Sequence, residues 1–159
     1  MNRNVNFMEL SGPLTKKLFE LGHQIKESSI PVALQDLVNI RASQLNHCAF
    51  CLDMHVKEAK IHGERELRVH HVAIWRESQL FTDKERAAFE WTEAVTQLDG
   101  KGISEEIFER VSAHFSEKEM SDLTYVIATI NFWNRLNVSF PKTPGSLDTM
   151  LGLTKAGLQ

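Results

Sequence analysis

Two cysteines and four prolines are all that this 159-residue sequence contains of either, and its acidic and basic residues nearly balance, leaving a net charge of −3. No long run of one sign is present, so the chain offers no electrostatic footprint for nucleic acid or an anionic membrane surface. No segment approaches the roughly 18 uninterrupted apolar residues that mark a membrane-spanning helix. The opening Met1-Asn2-Arg3-Asn4-Val5-Asn6-Phe7 lacks the apolar stretch of a secretory signal. A cytoplasmic location is therefore expected, with no membrane and no nucleic acid among the partners. In that compartment a pair of cysteines reads as catalytic or metal-binding rather than as a structural staple. Internal repeats, low-complexity blocks, linkers and alternating strand patterns are also missing. Residues 1–159 are expected to form a single domain, long enough at 42% apolar residues to bury a sizeable core.

What the sequence does have is helical periodicity. Residues 13–28 carry the seam Leu14, Leu18, Leu21, Ile25, and Pro13 suits a first turn. Ser28-Ser29-Ile30-Pro31 breaks that helix and starts a second, running to about Leu45, with Leu34, Leu37 and Val38 apolar and Asp36 and Arg41 close to that face. Asn46 reads as the cap of a third helix ending at Gly63, on which Leu52, Val56 and Ala59 share a side with the cysteines. A short fourth helix, to about Trp75, places Leu67, His71, Ile74 and Trp75 together. Thr82-Asp83-Lys84-Glu85 and Ser116-Glu117-Lys118-Glu119 are capping boxes, and Ser104 caps the helix between them. The last helix, to about Val138, is apolar nearly all round from Tyr125 to Trp133 and is expected to be central. Residues 1–12 read as an extended arm, and Pro141, Pro144 and Gly145 mark an irregular tail. The fold class is all-α, a bundle of about six to seven helices with its core over residues 31–138.

Chemistry concentrates in Asn46-His47-Cys48-Ala49-Phe50-Cys51-Leu52-Asp53-Met54-His55. At about 100° per residue Cys48, Cys51 and His55 fall within roughly 60° of one another on a helix. Helical i and i+3 Cα atoms lie about 5 Å apart, within disulfide range, so the pair can open and close with little backbone movement. Near the start of a helix, unpaired backbone N–H groups stabilise a thiolate, and His55 can accept a proton from either thiol. Asp36, twelve residues before Cys48, could face the histidine or a thiol across the helix hairpin as a relay or orienting carboxylate. The chemistry this suggests is attack of a thiolate on the O–O bond of a hydroperoxide, a sulfenic acid, and its condensation to a disulfide that an external dithiol reduces.

The run from Asp36 through His55 resembles the core motif of AhpD-like alkylhydroperoxidases in the carboxymuconolactone decarboxylase family. Ala73-Ile74-Trp75-Arg76-Glu77 and Ile130-Asn131-Phe132-Trp133-Asn134-Arg135-Leu136 resemble one subgroup of it, and the likeness spans roughly residues 31–138. It implies an AhpD-like helical, homo-oligomeric fold (dimer, trimer or hexamer) with the Cys-x-x-Cys at the N-terminus of a central helix. It also implies peroxidase-like antioxidant activity on an organic hydroperoxide, with no cofactor, and reduction by a lipoyl-type dithiol or thioredoxin-like partner. By motif position the site is Cys48, Cys51 and His55, with Asp36 where the family has glutamate. Phe50 stands where well-studied members carry a second histidine. The resemblance makes Cys51 the sulfur that meets peroxide and Cys48 the more superficial resolving thiol, whereas the helix-terminus argument makes Cys48 the more acidic one, so the order stays open.

Other readings compete. The same disulfide could serve as a redox switch or scaffold element without efficient turnover. A zinc site would need a further ligand such as His70, His71 or a carboxylate. A lactone decarboxylase would not need the cysteine pair. His47 reads as an exposed first-turn residue, and Arg41 and Asn134 as buried polar groups that fix packing or an oligomer contact. Trp75, Trp91 and Trp133 read as core or interface.

Overall fold

Most helix boundaries follow caps written into the chain. The computed structural model describes residues 5–158, which contain nine α-helices and no strand. These are α1 (Phe7–Leu10), α2 (Gly12–Lys26), α3 (Val32–Leu45), α4 (Ala49–Ile61), α5 (Glu66–His71), α6 (Asp83–Thr96), α7 (Glu105–Ser112), α8 (Glu117–Ser139) and α9 (Asp148–Leu151), with single 3-10 turns at Val72–Ile74 and Leu153–Ala156. Helices α2 to α8 are the seven the periodicity indicates. Both capping boxes form: the Glu85 carboxylate accepts from the Thr82 N–H at 2.8 Å, and the Glu119 carboxylate accepts from the Ser116 N–H at 2.9 Å.

The middle of the bundle is α3 rather than α8. Leu37, Val38, Ile40, Ala42 and Ser43 are all fully buried, because α3 is packed between α4, α6 and α8. On α8 the side toward α3 and α6 is covered, with Leu123, Ile127, Ile130 and Asn134 buried at i, i+4, i+3, i+4, and α2 and α4 pack beside it. Its other side leaves Tyr125 59% and Phe132 49% exposed, so the apolar wrap of this helix is not matched by burial within one chain. Arg41 ties α3 to α6 through Glu93, which also accepts from the Trp75 indole N–H.

Elsewhere the phase of several helices departs from expectation. On α2 Leu14 is exposed while Thr15 and Ile25 are buried, since the helix rests on α8 along a neighbouring stripe. Helix α5 stops at His71 and tightens into the 3-10 turn, which turns Val72 and Trp75 inward and leaves Leu67 and Ile74 exposed. Of the extended arm expected over residues 1–12, residues 1–4 lie outside the described part; within the rest Phe7–Leu10 form a helical turn, with Phe7 buried, and α2 already starts at Gly12. The tail is not irregular throughout: α9 and the final 3-10 turn fold back, burying Leu153 and Ala156, and the turn packs on α4. Lys57 fastens it, donating to Asp53 at 2.8 Å and to Asp148 at 2.7 Å. Among the described residues no helix is long and apolar enough to cross a membrane.

Candidate functional site

The turn between α3 and α4 is only three residues long, and each has a distinct task. Asn46 ends α3 instead of capping α4, its N–H donating back to the Ala42 carbonyl. His47 takes a left-handed conformation (φ 53°) with no glycine to ease it. Cys48 is the true N-cap of α4, and its sulfur accepts from the Cys51 N–H at 3.3 Å. The asparagine reading failed because capping rank is a local preference, whereas Asn46 is engaged elsewhere. Its Nδ2 donates to Oδ1 of both Asn131 and Asn134 on α8, 2.9 Å each, and Asn134 in turn donates to Ser43 Oγ at 3.1 Å. This polar clamp seats the hairpin on α8.

Cys48 and Cys51 are joined by a disulfide across the first turn of α4, with Cα atoms 5.3 Å apart. Cys48 is 3% exposed and Cys51 1%, so both residues are buried in the oxidised state. Ala42, Phe50 and Ile130 pack around them. Leu52, Val56 and Ala59 occupy the adjacent stripe of α4 and face a different cluster, with Leu37, Val72, Trp75 and Phe89. The Cys/His face is thereby separated from the main apolar seam.

That face borders a cavity of about 330 Å³, walled by apolar groups including Phe19, Met54, Ile130 and Trp133, and reached by Cys51, His55, Glu58 and Asp36 but not by Cys48. His55 is 7% exposed, and its Nδ1 lies 2.7 Å from Glu58 Oε2. Burial alone would push the Glu58 carboxyl up, but the hydrogen bond and charge of His55, aided by Lys26 and His62, outweigh it and hold the group below its ordinary value. An ionised carboxylate only accepts, so in the neutral tautomer of the ring the proton sits on Nδ1 and Nε2 is the free nitrogen. Nε2 is buried and has no hydrogen-bond partner. A buried base without a partner, beside a cavity lined by a sulfur, is poised to accept a proton from something that enters.

Asp36 is 4% exposed and lines the same cavity, yet its hydrogen bond goes to neither His55 nor a thiol. Its Oδ2 pairs with His62 Nδ1 at 2.7 Å. Burial raises the Asp36 carboxyl above its ordinary value, against the opposing pull of His62. The sequence reading therefore missed Glu58 and His62. For Glu58 a signal existed, the i, i+3 spacing from His55 on one helix; for His62, beyond the last turn of α4, there was none. As for the zinc reading, His71 lies 3.0 Å from Ser78 Oγ and His70 is exposed. Among the described residues no three metal-capable side chains gather.

Comparison with known proteins agrees with this architecture. The sequence model of the carboxymuconolactone decarboxylase family matches residues 12–94. The uncharacterized protein YdfG of Bacillus subtilis (strain 168) is 34% identical over 139 residues, 87% of this chain and 95% of its own. A protein of unknown function from Agrobacterium tumefaciens, described as a candidate antioxidant defence protein AhpD, is 36% identical and superposes with a TM-score of 0.85, covering 89% of this chain and 97% of that one. The debrominase Bmp8, at 19% identity, shares the fold with a TM-score of 0.79 over 94% of this chain and 80% of its own.

Proposed function

The chain belongs to the carboxymuconolactone decarboxylase family, and on that premise we propose that it is an AhpD-like, thiol-dependent reductase of organic hydroperoxides. The observation that carries this reading is the unpartnered, buried Nε2 of His55 beside the cavity that Cys51 lines. In the reduced protein His55 takes the Cys51 proton. The thiolate attacks the terminal peroxide oxygen, the O–O bond breaks, and the alkoxide leaves as alcohol by taking the proton back from His55. Cys48 then attacks the Cys51 sulfenic acid, releasing water and forming the disulfide, which an external lipoyl-type or thioredoxin-like dithiol reduces. Cys51 is assigned to the peroxide because it borders the cavity and Cys48 does not. Cys48, as N-cap, is held as a good leaving thiolate by the N-terminus of α4 when the dithiol attacks. The reading includes a homo-oligomer, supported by the exposed Tyr125 and Phe132 on α8, and checked by light scattering.

The burial of both sulfurs favours one competitor, a redox switch whose disulfide is shielded from fast exchange. The test is to reduce the protein, add one equivalent of cumene hydroperoxide, and follow the peptide holding both cysteines by mass spectrometry, with Cys48→Ser and Cys51→Ser in parallel. Loss of two hydrogens in wild type, a trapped sulfenic acid only in Cys48→Ser, and sustained turnover with dihydrolipoamide are expected. Stoichiometric oxidation without turnover would favour the switch, and unreacted thiols would overturn both.

A further inference from the structure

We propose that Asn137 selects the ligand of the cavity: its amide oxygen accepts a hydrogen bond from a hydroxyl or N–H donor at the far end of an otherwise apolar molecule. The proposal rests on the hydroperoxide reading for what happens at Cys51, and adds to it the class of the substrate, an alkyl hydroperoxide with a remote donor group.

Among the described residues two buried side-chain polar atoms have no hydrogen-bond partner, His55 Nε2 and Asn137 Oδ1. Both belong to residues that line the same cavity, and Asn137 is 6% exposed. His55 Nε2 serves the proton of Cys51, whereas Asn137 Oδ1 has no place in that reaction. The orientation of the amide is fixed, because its Nδ2 donates to the Trp133 carbonyl at 3.0 Å; exchanging the two ends would set two acceptors against each other. The atom left over is therefore an acceptor, and a buried acceptor is costly until a donor meets it. A ligand that expels water from the cavity without bringing a donor strands this oxygen, and one that carries a hydroxyl does not.

The position of Asn137 sets the reach of the ligand. On α8 the cavity is lined by Val126, Thr129, Ile130, Trp133 and Asn137, which share one face of the helix. Ile130 packs with Cys51. Asn137 stands two turns further on, about 10 Å along the axis, with Trp133 between. A molecule whose peroxide end reaches Cys51 thus passes an apolar wall before its other end meets the amide, a span of about six to ten methylenes. Lys142 lines the cavity as well, its Nζ 5.4 Å from the centroid of the Phe7 ring. That cation would favour a carboxylate, which the Asn137 oxygen repels, so the two end groups give opposite expectations.

Binding to the disulfide form is measured by tryptophan fluorescence, Trp133 being a wall of the cavity, with octane-1,8-diol, 1-octanol and octanoate as probes. Comparing the Kd ratio of 1-octanol to the diol between wild type and variant cancels the difference in their own transfer from water. In Asn137→Leu, which keeps the bulk and drops the acceptor, the ratio is expected to shift ~10-fold in favour of 1-octanol. Asn137→Ala, which asks for no new packing, should shift it in the same direction, and the unfolding midpoint of each variant shows that it is folded. A merely structural asparagine would change stability and leave the ratio alone. An unchanged ratio in both variants, or octanoate binding wild type more tightly than the diol, would overturn the proposal. These titrations use neither peroxide nor a free thiol. Failure of the redox reading shows separately, as unreacted thiols with 8-hydroxyoctyl hydroperoxide.

Discussion

Glu58 is the hydrogen-bond partner that orients the His55 ring, and the effect of its removal on the proposed reaction can be worked out in some detail. The pair is 2.7 Å apart, with side chains 8% and 23% exposed. A hydrogen bond to a charged partner in such a setting contributes about 1.5–3 kcal/mol. Glu58→Gln preserves the shape and one acceptor oxygen but removes the charge that favours a protonated imidazole, so roughly half of that contribution, about 0.8–1.5 kcal/mol, is lost when His55 takes up a proton. At about 1.4 kcal/mol per factor of ten, the second-order rate constant for reaction of the reduced protein with hydroperoxide should fall ~4- to 12-fold. Glu58→Ala should be worse, because the ring is then free to place its proton on Nε2 and present no base to Cys51. The assay is stopped-flow oxidation of the reduced protein under excess cumene hydroperoxide, read by Trp133 fluorescence and by thiol titration, with unfolding curves to show intact folding. Should both variants stay within twofold of wild type while His55→Gln is strongly impaired, the orienting role of Glu58 is wrong.

Three further outcomes follow from the same contacts. Asn46→Ala leaves the Asn134 Oδ1 acceptor without its donor in a fully buried place, and should lower stability by about 1–3 kcal/mol in urea unfolding. At His47, glycine relieves a left-handed backbone (φ 53°) at the cost of unfolded-chain entropy, so His47→Gly should be nearly neutral, whereas the β-branched His47→Val should lose more than about 1 kcal/mol in the same measurement. The Asp122 carboxyl is held down to about 2 by Lys118 and by the Ser29 N–H and hydroxyl. Its folded value lies below its unfolded one, so the stability it contributes is present above the ordinary aspartate range and disappears as pH falls toward about 2; the unfolding difference between wild type and Asp122→Asn should shrink over that interval.

How far the chain could be read in advance depended on the range of the interaction. The capping boxes at Thr82 and Ser116, the break at residues 28–31 and the shared phase of Cys48, Cys51 and His55 involve residues at most seven apart, and helical geometry fixes such relations before any packing occurs. Which of Asn46 and Cys48 caps α4 could not be read, because Asn46 is claimed by Asn131 and Asn134, more than eighty residues away. Asp36 is expected from the sequence to face His55 or a thiol across the hairpin; it lines the same cavity, but its hydrogen-bond partner is His62, which the packing of α3 on the end of α4 brings to it. Likewise the apolar circumference of α8 is a property of its residues, while the exposure of Tyr125 and Phe132 depends on how many neighbours one chain can supply. Local spacing thus settled the all-helical class and placed Cys48 and Cys51 within disulfide reach, a geometry carried by a single helical turn. Tertiary packing alone decided which residue pairs with Asp36 and which sulfur borders the cavity, since burial and pairing across elements arise only when separate helices meet.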